Sequence, residues 1–463
     1  MAVIAAETAG GQWVLRSGQN SAHNHAPVDS VVFHKHRHRQ LEDSDVRRQI
    51  KVDYDVGTAP RNTLARLHQQ NFWHITIRDV YNEQQRLRRL DLNGKTPIER
   101  AIEVCEEREN FWSRWSVDDE FHCNLLFMAH RKMIKLYRRH PDVLLLDCTY
   151  KTNRFNLPLL NICGVTRNNE NIPLALVFIE NEKADGAMSW ALGCLKSLFS
   201  EEGIPMPRVV CHDRQQSLIN ALEADDDWKA IDHVLCRWHM NKCVLAWLQD
   251  SRHYFGGTYR IEGVRHNDPQ VDDAYSVYRE LITSKTEADF YSNWRAIERR
   301  GEREGRWSAF ADYLNNQWLV YKDLCVNAWT DRVAHYGNLT TSRLEGCHAE
   351  LKRWLRNSRC DILTFVRRLE PWWSNVSYRH RTITAELLVS VTPYSANNPL
   401  TAGVVKTITP FALWRVEKQV ELAKASLNEP DTTCSLAYQH TWGLPCRHAL
   451  RVHLETGLPL ATS

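Results

Sequence analysis

Three acidic residues carry the clearest chemical signal in this sequence. Asp147 follows 143–146, an apolar run typical of a buried strand, and Asp213 follows a second short strand predicted over 208–211. Glu345 lies on an amphipathic helix predicted over 338–356. Three convergent carboxylates repel one another and need a cation, and hard oxygen ligands of this kind suit Mg²⁺ or Mn²⁺. Two such ions can clamp the attacking and leaving oxygens of a phosphodiester.

Each of these acids also has a purely structural interpretation. Asp147 could end its strand by hydrogen bonding to a turn. Asp213 and Glu345 both fit a capping box, over 213–216 and 342–345, in which two side chains satisfy free backbone N–H groups at a helix start. Only convergence of the three side chains in the fold would favour catalysis.

The elements around these acids predict an α/β fold with a mixed sheet. Two strands joined by a tight turn are antiparallel, whereas strands joined through helices are usually parallel. The order is three strands, a helix, a strand, a helix and a strand, over 143–146, 159–165, 172–179, 186–199, 208–211, 215–222 and 234–236. A mostly helical region precedes them, with a hairpin predicted from 111–115 and 121–127, and a tryptophan-rich helical stretch follows.

Composition excludes several classes of protein. The chain has 463 residues, 43% of them hydrophobic and 25% charged, which is ordinary for a soluble globular protein. Its 59 basic and 56 acidic residues nearly balance, so a nucleic-acid surface would have to be local. The apolar runs are shorter than the ~20 residues of a membrane span, and no signal peptide is evident. The 13 cysteines are spread singly, which favours a reducing compartment over a disulfide scaffold.

Three blocks of sequence resemble the catalytic blocks of Mutator-like element (MULE) transposases. They are Asp-Cys-Thr-Tyr-Lys-Thr-Asn at 147–153, Cys-His-Asp-Arg-Gln-Gln at 211–216, and Thr-Ser-Arg-Leu-Glu-Gly-Cys-His at 341–348. The resemblance implies a ribonuclease H-like core in which Asp147, Asp213 and Glu345 form a DDE triad that binds Mg²⁺ or Mn²⁺. Cys236 and His239 resemble the family's C-x-x-H element, for which we expect a structural role without metal.

The C-terminal segment resembles the SWIM zinc finger that follows such cores. Cys434, Cys446 and His448 match three of its four zinc ligands, but Thr432 occupies the position of the first cysteine. His440 could supply the missing ligand, with His453 as the weaker alternative, because structural zinc normally takes four ligands. The finger would then be degenerate, or it would have decayed.

The resemblance also implies a domain order for the whole chain. Residues 13–25 resemble the tail of a WRKY-like zinc finger without its cysteines, so we expect 1–50 to be a poorly ordered remnant of that finger. The other expected segments are a helical N-terminal region at 51–140, the catalytic domain at 141–237 and 335–390, a helical insertion at 238–334, and the SWIM-type segment at 391–463.

The function implied is that of a DDE transposase that cleaves DNA strands and transfers them in a metal-dependent reaction. We expect a nuclear protein that binds double-stranded DNA at transposon ends and targets as a homo-oligomer, with no membrane partner. Candidate DNA contacts are Arg86, Arg88, Arg89, Lys352, Arg353 and Arg356. The alternative is a domesticated or inactive copy that acts as a DNA-binding transcriptional regulator, like the related far-red response regulators. A different ribonuclease H-like nuclease fits less well, because of the SWIM-like tail and the long insertion.

Overall fold

The structure is a computed structural model that divides into two compact units, 1–95 and 96–463. It describes residues 3–7, 10–17, 41–107, 109–182, 186–261, 264–389, 398–405, 407–427 and 434–461. The histidine-rich part of the expected N-terminal remnant, within 18–40, and Thr432 lie outside these residues.

The described part of the first unit includes a short hairpin and a group of helices. Strands β1 and β2 pair antiparallel, and helices α1 to α3 enclose a small apolar core around Val46, Ile50 and Leu67. Thr76 and Asp79 form the capping box that the sequence predicts at the start of α3. The elements of this unit are β1 Val3–Glu7, β2 Trp13–Ser17, α1 Ser44–Asp55, α2 Pro60–Gln69 and α3 Ile77–Leu92.

The second unit is built around a seven-stranded mixed sheet in the order β3-β4-β7-β6-β5-β8-β9. Strands β5, β6 and β7 are antiparallel neighbours, while β5, β8 and β9 are parallel, as the connections in the sequence predict. The strands are β3 Phe111–Val117, β4 Cys123–His130, β5 Val143–Thr149, β6 Leu159–Val165, β7 Asn171–Ile179, β8 Val209–His212 and β9 Asp232–Leu235.

The predicted hairpin at 111–127 forms, but it belongs to this sheet and not to a separate helical region. Strand β4 pairs with β7 along Leu125–Ala129, which extends the sheet by two strands beyond those predicted from 141 onwards. The pairing joins segments about 50 residues apart in the chain, so local sequence pattern carries no sign of it.

Helices cover the sheet and follow it along the chain. Those that pack with the sheet or follow its strands are α4 Pro97–Glu107, α5 Arg131–Tyr137, α6 Ala187–Glu202, α7 Gln216–Ala224 and α8 Asp226–Lys229. Helix α15, Ser342–Leu355, packs against β5 and β7, and helix α16, Ile362–Val389, packs against α4, α5 and α15.

The insertion between the sheet and α15 has its own core of large apolar side chains. Tyr278, Phe310 and Trp307 are buried in it, which agrees with the helical core predicted from its tryptophans. The helices are α9 Arg237–Gln249, α10 Pro269–Ile282, α11 Glu287–Gly301, α12 Gly305–Gln317, α13 Lys322–Cys325 and α14 Asn327–Thr330. It also contains an antiparallel hairpin that the sequence analysis did not predict, β10 Thr258–Ile261 and β11 Val264–Asn267.

The described part of the C-terminal segment includes helices α17 Pro410–Ala425, α18 Ala437–Trp442 and α19 Arg447–Thr456. Leu400, Val416, Val420 and Leu450 form a small core between α17 and α19. No helix in the described part of the chain combines the length and apolar character that crossing a lipid bilayer requires.

Candidate active site

The sheet places Asp147 and Asp213 side by side. Parallel pairing of β5 and β8 places Leu146 opposite His212. The residue that follows each of them in the chain is an aspartate, Asp147 in one case and Asp213 in the other. Carboxylate oxygens of Asp147 and Asp213 and a ring nitrogen of His239, from α9, all lie within 4.8 Å of one another. The two acids therefore meet as the sequence predicts.

Glu345 reaches the same place from α15. Oxygens of Glu345 and Asp147 and a ring nitrogen of His348 form a second group in which all ligand atoms lie within 4.8 Å of one another. Asp147 is common to the two groups and is 4% exposed, whereas Glu345 is exposed and opens the site to solvent. The site is thus a buried carboxylate with ligand groups on two sides and an accessible mouth.

The capping interpretation of these acids does not hold. Helix α7 begins after Gln215 and α15 begins after Thr341, and neither of these N-cap side chains makes a capping hydrogen bond. Asp213 accepts only a 3.3 Å hydrogen bond from the Gln215 backbone, and Glu345 lies beyond the first three residues of its helix. Capping boxes therefore do not account for where Asp213 and Glu345 are.

The acidic cluster has too little positive charge nearby to offset its burial and the repulsion between its carboxylates. Burial raises the pKa of Asp147 and the nearby charges of Asp213 and Glu345 add to the rise; against smaller opposing effects of the Cys148 backbone and Lys242, the pKa reaches about 8. Burial also raises the pKa of Asp213 to about 6, with a contribution from Glu182. A divalent cation would supply the missing charge, and the mixed carboxylate and imidazole donors fit such an ion.

Asp147→Asn is expected to stabilise the protein in the absence of metal. The pKa of Asp147 is about 8 in the folded chain and about 3.9 in an unfolded one. Between these values the unfolded chain has lost a proton that the folded chain keeps, so this residue lowers the free energy of unfolding as pH rises from about 4 to about 8. With EDTA at pH 8, denaturant unfolding should show the variant more stable by at least about 1 kcal/mol. The difference should shrink towards pH 4, and a less stable variant at pH 8 would contradict this reading of the site.

Both aspartates lie in a segment that a known family shares. Residues 143–243 match the MULE transposase domain. The matched segment runs from β5 into α9 and carries Asp147, Asp213, Cys236 and His239, but it ends before Glu345. The resemblance inferred from the sequence blocks is confirmed by this match.

Three curated proteins show more distant similarity. The chain is 19% identical to the PKS-NRPS hybrid synthetase cheA of Chaetomium globosum, across 95% of this chain but 10% of that protein. It is 23% identical to Protein FAR1-RELATED SEQUENCE 5 and 21% identical to Protein FAR1-RELATED SEQUENCE 4, both of Arabidopsis thaliana, each across 50% of this chain. The chain covers 30% and 31% of those two proteins, so it spans less than a third of each relative's length.

Cys236, within the matched segment, joins the start of the insertion to the helix that carries Glu345. The Cys236 sulfur accepts hydrogen bonds of 3.0 Å from both the backbone N–H and the hydroxyl of Thr341, the N-cap residue of α15. The Thr341 hydroxyl also lies 3.4 Å from His239 Nδ1. His239 also approaches the carboxylates, since its Nε2 lies 3.9 Å from an oxygen of Asp147. The structural role expected for Cys236 and His239 did not include this contact.

His348 is the residue of this site that the sequence analysis missed. Its Nδ1 lies 3.9 Å from an oxygen of Asp147. The sequence analysis grouped helix 338–356 by its apolar stripe, on which His348 lies between Leu344 and Leu351. The signal was nonetheless present, since Glu345 and His348 are three residues apart and must share one helix face.

The candidate DNA contacts fall into two groups. Lys352 and Arg353 are exposed on α15, and burial together with the charge of Lys352 lowers the pKa of the nearby His348 imidazole to about 4. Arg356 follows this helix with a left-handed backbone. Arg86, Arg88 and Arg89 lie on α3 of the first unit, where Arg86 is bound to Glu83 by hydrogen bonds of 2.6 and 2.9 Å.

The C-terminal segment brings together three of the predicted zinc ligands. The sulfurs of Cys434 and Cys446 are 3.6 Å apart, and His448 Nδ1 lies 3.9 Å from Cys446. Two thiols and an imidazole at these distances fit zinc. The structure does not bring His440 to this group, because it is exposed on α18, and His453 Nδ1 instead faces the Leu458 carbonyl at 3.1 Å.

A cavity of about 410 Å³ lies at the opposite end of the sheet from the carboxylates. Val143 at the start of β5 and Val165 at the end of β6 contribute to its wall. Asp147 comes four positions after Val143 in the chain, which is a distance of roughly 13 Å along a strand. The carboxylates therefore do not line this cavity, and they are reached from the surface beside Glu345, which suits a macromolecular substrate.

Proposed function

We propose that this protein is a DDE transposase with a ribonuclease H-like core, which cleaves DNA strands and transfers them with the help of divalent metal ions. The observation that carries the proposal is the convergence of Asp147, Asp213 and Glu345 from two parallel strands and a distant helix. A buried aspartate between two other acids is costly for stability, and such a cost is typical of a functional site.

The chemistry required of the site is in-line displacement at phosphorus. Bound metal ions would polarise the phosphate and lower the pKa of the attacking hydroxyl. Asp147, common to both ligand groups, would hold the ions in fixed relation, with Asp213 on one side and Glu345 on the other. Lys242, which lies 4.8 Å over the ring of Trp238, and Lys352 would attract the DNA backbone towards this mouth.

Lys352→Ala is expected to weaken DNA binding without dependence on sequence. Its side chain is exposed on the helix face that carries Glu345, so it is placed to neutralise one phosphate of DNA held at the site. Losing one such contact should reduce the slope of log affinity against log salt by about 0.9. The exposed Lys424→Ala, on α17, is the matched control and should leave the slope unchanged. Equal effects of the two substitutions would remove α15 from the DNA surface.

The second candidate function is a domesticated DNA-binding transcriptional regulator. It is favoured by the similarity to the two FAR1-related sequence proteins, and it requires no metal at the carboxylates. In that case the three acids would only lower the stability of the protein. Substitution of any of them would leave the protein's activity on DNA intact. Both candidates imply a nuclear protein, and transposition also implies a homo-oligomer that pairs two DNA ends.

The experiment that separates the two is strand cleavage by the purified chain. The substrate is duplex DNA carrying the inverted repeats that flank the gene, incubated with Mg²⁺ or Mn²⁺ or with EDTA. A transposase should nick at the repeat ends only when metal is present. Specific binding of the same DNA with no cleavage under any metal condition would favour the regulator.

A further inference from the structure

His348 presents one ring nitrogen to the carboxylates, and its other ring nitrogen is buried without a partner among the described residues. The residue is 4% exposed, and its Nδ1 points to Asp147 at 3.9 Å, which is too long for a hydrogen bond. Its Nε2 is buried and has no hydrogen-bond partner among the described residues. Buried polar atoms almost always have partners, so a nitrogen left in this state requires an explanation.

Helix geometry sets this imidazole next to a carboxylate that faces the same way. Glu345 and His348 are three residues apart on α15, a spacing that puts both on one face of the helix. The same Glu-x-x-His spacing supplies one oxygen and one nitrogen ligand to iron and manganese in helical-bundle metalloproteins. Together with Asp147, the three donor atoms lie within 4.8 Å of one another, close enough to share one ion.

We propose that His348 is a nitrogen ligand of the metal subsite that it forms with Asp147 and Glu345, and that this ligand makes the site prefer Mn²⁺ to Mg²⁺. The inference rests on the proposed function, because it assigns a ligand and a metal to that same site. Mg²⁺ prefers oxygen ligands and retains its waters, whereas imidazole binds first-row transition metals more readily. One nitrogen among carboxylate oxygens therefore shifts the preference towards manganese.

A packing role explains His348 less well than it explains other buried histidines of this unit. His380 on α16 is 6% exposed, and its Nε2 lies 3.1 Å from the Asn171 carbonyl, so its position has a structural reason. His239 likewise has the Thr341 hydroxyl 3.4 Å from Nδ1 while Nε2 faces Asp147. His348 Nε2 has no hydrogen-bond partner among the described residues, while its Nδ1 faces Asp147. His380 is therefore a matched control for the removal of a buried imidazole.

The test measures metal binding by the full chain in the absence of DNA. Mn²⁺ affinity is followed by electron paramagnetic resonance, and Mg²⁺ affinity by competition against Mn²⁺. His348→Gln should weaken Mn²⁺ binding by about 10- to 100-fold, while Mg²⁺ binding changes less, so that the Mn²⁺ preference of the wild type is lost. His380→Gln should retain the preference. Unchanged Mn²⁺ affinity in His348→Gln would overturn the assignment.

A second measurement does not depend on how His348→Gln folds, because it uses proteins that keep His348. Pulsed electron paramagnetic resonance of Mn²⁺ on the wild type should show coupling to a directly bound nitrogen. A nitrogen coupling should remain in His239→Gln. Absence of a nitrogen coupling from the wild type would overturn the inference. Failure of the proposed function would give a different result. Asp147→Asn would then leave Mn²⁺ binding as it is in the wild type, because no Mn²⁺ is held at the carboxylates.

Discussion

Asp147→Asn and Asp213→Asn are expected to abolish metal-dependent strand cleavage. Each amide keeps the size of the carboxylate but removes a charged ligand from a site where the cation must be held. Metal ions contribute several kcal/mol to a phosphoryl-transfer transition state, so the cleavage rate should fall by at least about 10³-fold. The measurement is nicking of end-labelled repeat DNA by purified protein in Mn²⁺, with DNA binding followed by gel shift.

Asp142→Asn is the matched control for these two substitutions. Asp142 stands immediately before β5, at the end of the strand remote from Asp147, where it faces Arg208 at 3.5 Å. Its loss should leave cleavage within a few-fold of the wild type. DNA binding should persist in all three variants, because DNA contacts come from basic residues and not from the acids. Full cleavage by either Asp147→Asn or Asp213→Asn would remove the DDE assignment.

The sequence predicted the catalytic half of the sheet because the information there is local. An apolar run gives β5, a polar turn joins β6 to β7, and helices separate β5, β8 and β9. Once β5 and β8 are parallel neighbours, the aspartates that follow their apolar runs must meet. The convergence of Asp147 and Asp213 therefore follows from chain order and strand direction alone.

Other features depended on contacts that pattern does not encode. Strand β4 finds β7 across an intervening helix and two strands, so the hairpin could be predicted but not its place in the sheet. Hairpin β10–β11 consists of two four-residue strands, too short to show a period of two above the surrounding helical pattern. His348 was read with the apolar stripe, because only the tertiary position of Asp147 reveals that the imidazole faces a carboxylate.

The capping-box interpretation of Asp213 and Glu345 fails for a related reason. The capping-box patterns at Thr76 and Thr96 both form. Each threonine hydroxyl accepts a hydrogen bond from the backbone N–H three residues later in the chain. The same pattern at 213–216 and 342–345 does not cap, since Asp213 and Glu345 face Asp147 instead. A motif that satisfies a local rule in two places and departs from it beside one cluster of acids is what a functional site produces.

Cys446→Ser is expected to release zinc from the C-terminal segment. Cys446 is buried at 4% exposure and lies between the other two ligands, 3.6 Å from the sulfur of Cys434 and 3.9 Å from His448 Nδ1. Loss of even an outer-shell partner typically costs 10- to 100-fold in metal affinity, so loss of this thiolate should cost more than about 100-fold. The zinc content of dialysed protein, about one per chain in the wild type, should fall to near zero.

The same substitution should also loosen the segment, because its helices are short. Helices α18 and α19 have six and ten residues, lengths that are marginal without tertiary support. Their apolar support is the small cluster around Leu450 and the contact of Trp442 with Phe411, so zinc would supply part of the folding free energy. Limited proteolysis should therefore cut 434–461 in Cys446→Ser, while Cys243→Ser, an exposed cysteine on α9, and His440→Ala should match the wild type in zinc and in cleavage pattern. Zinc lost from His440→Ala would show that this histidine binds the ion after a rearrangement of α18, and zinc unaffected by Cys446→Ser would exclude the finger.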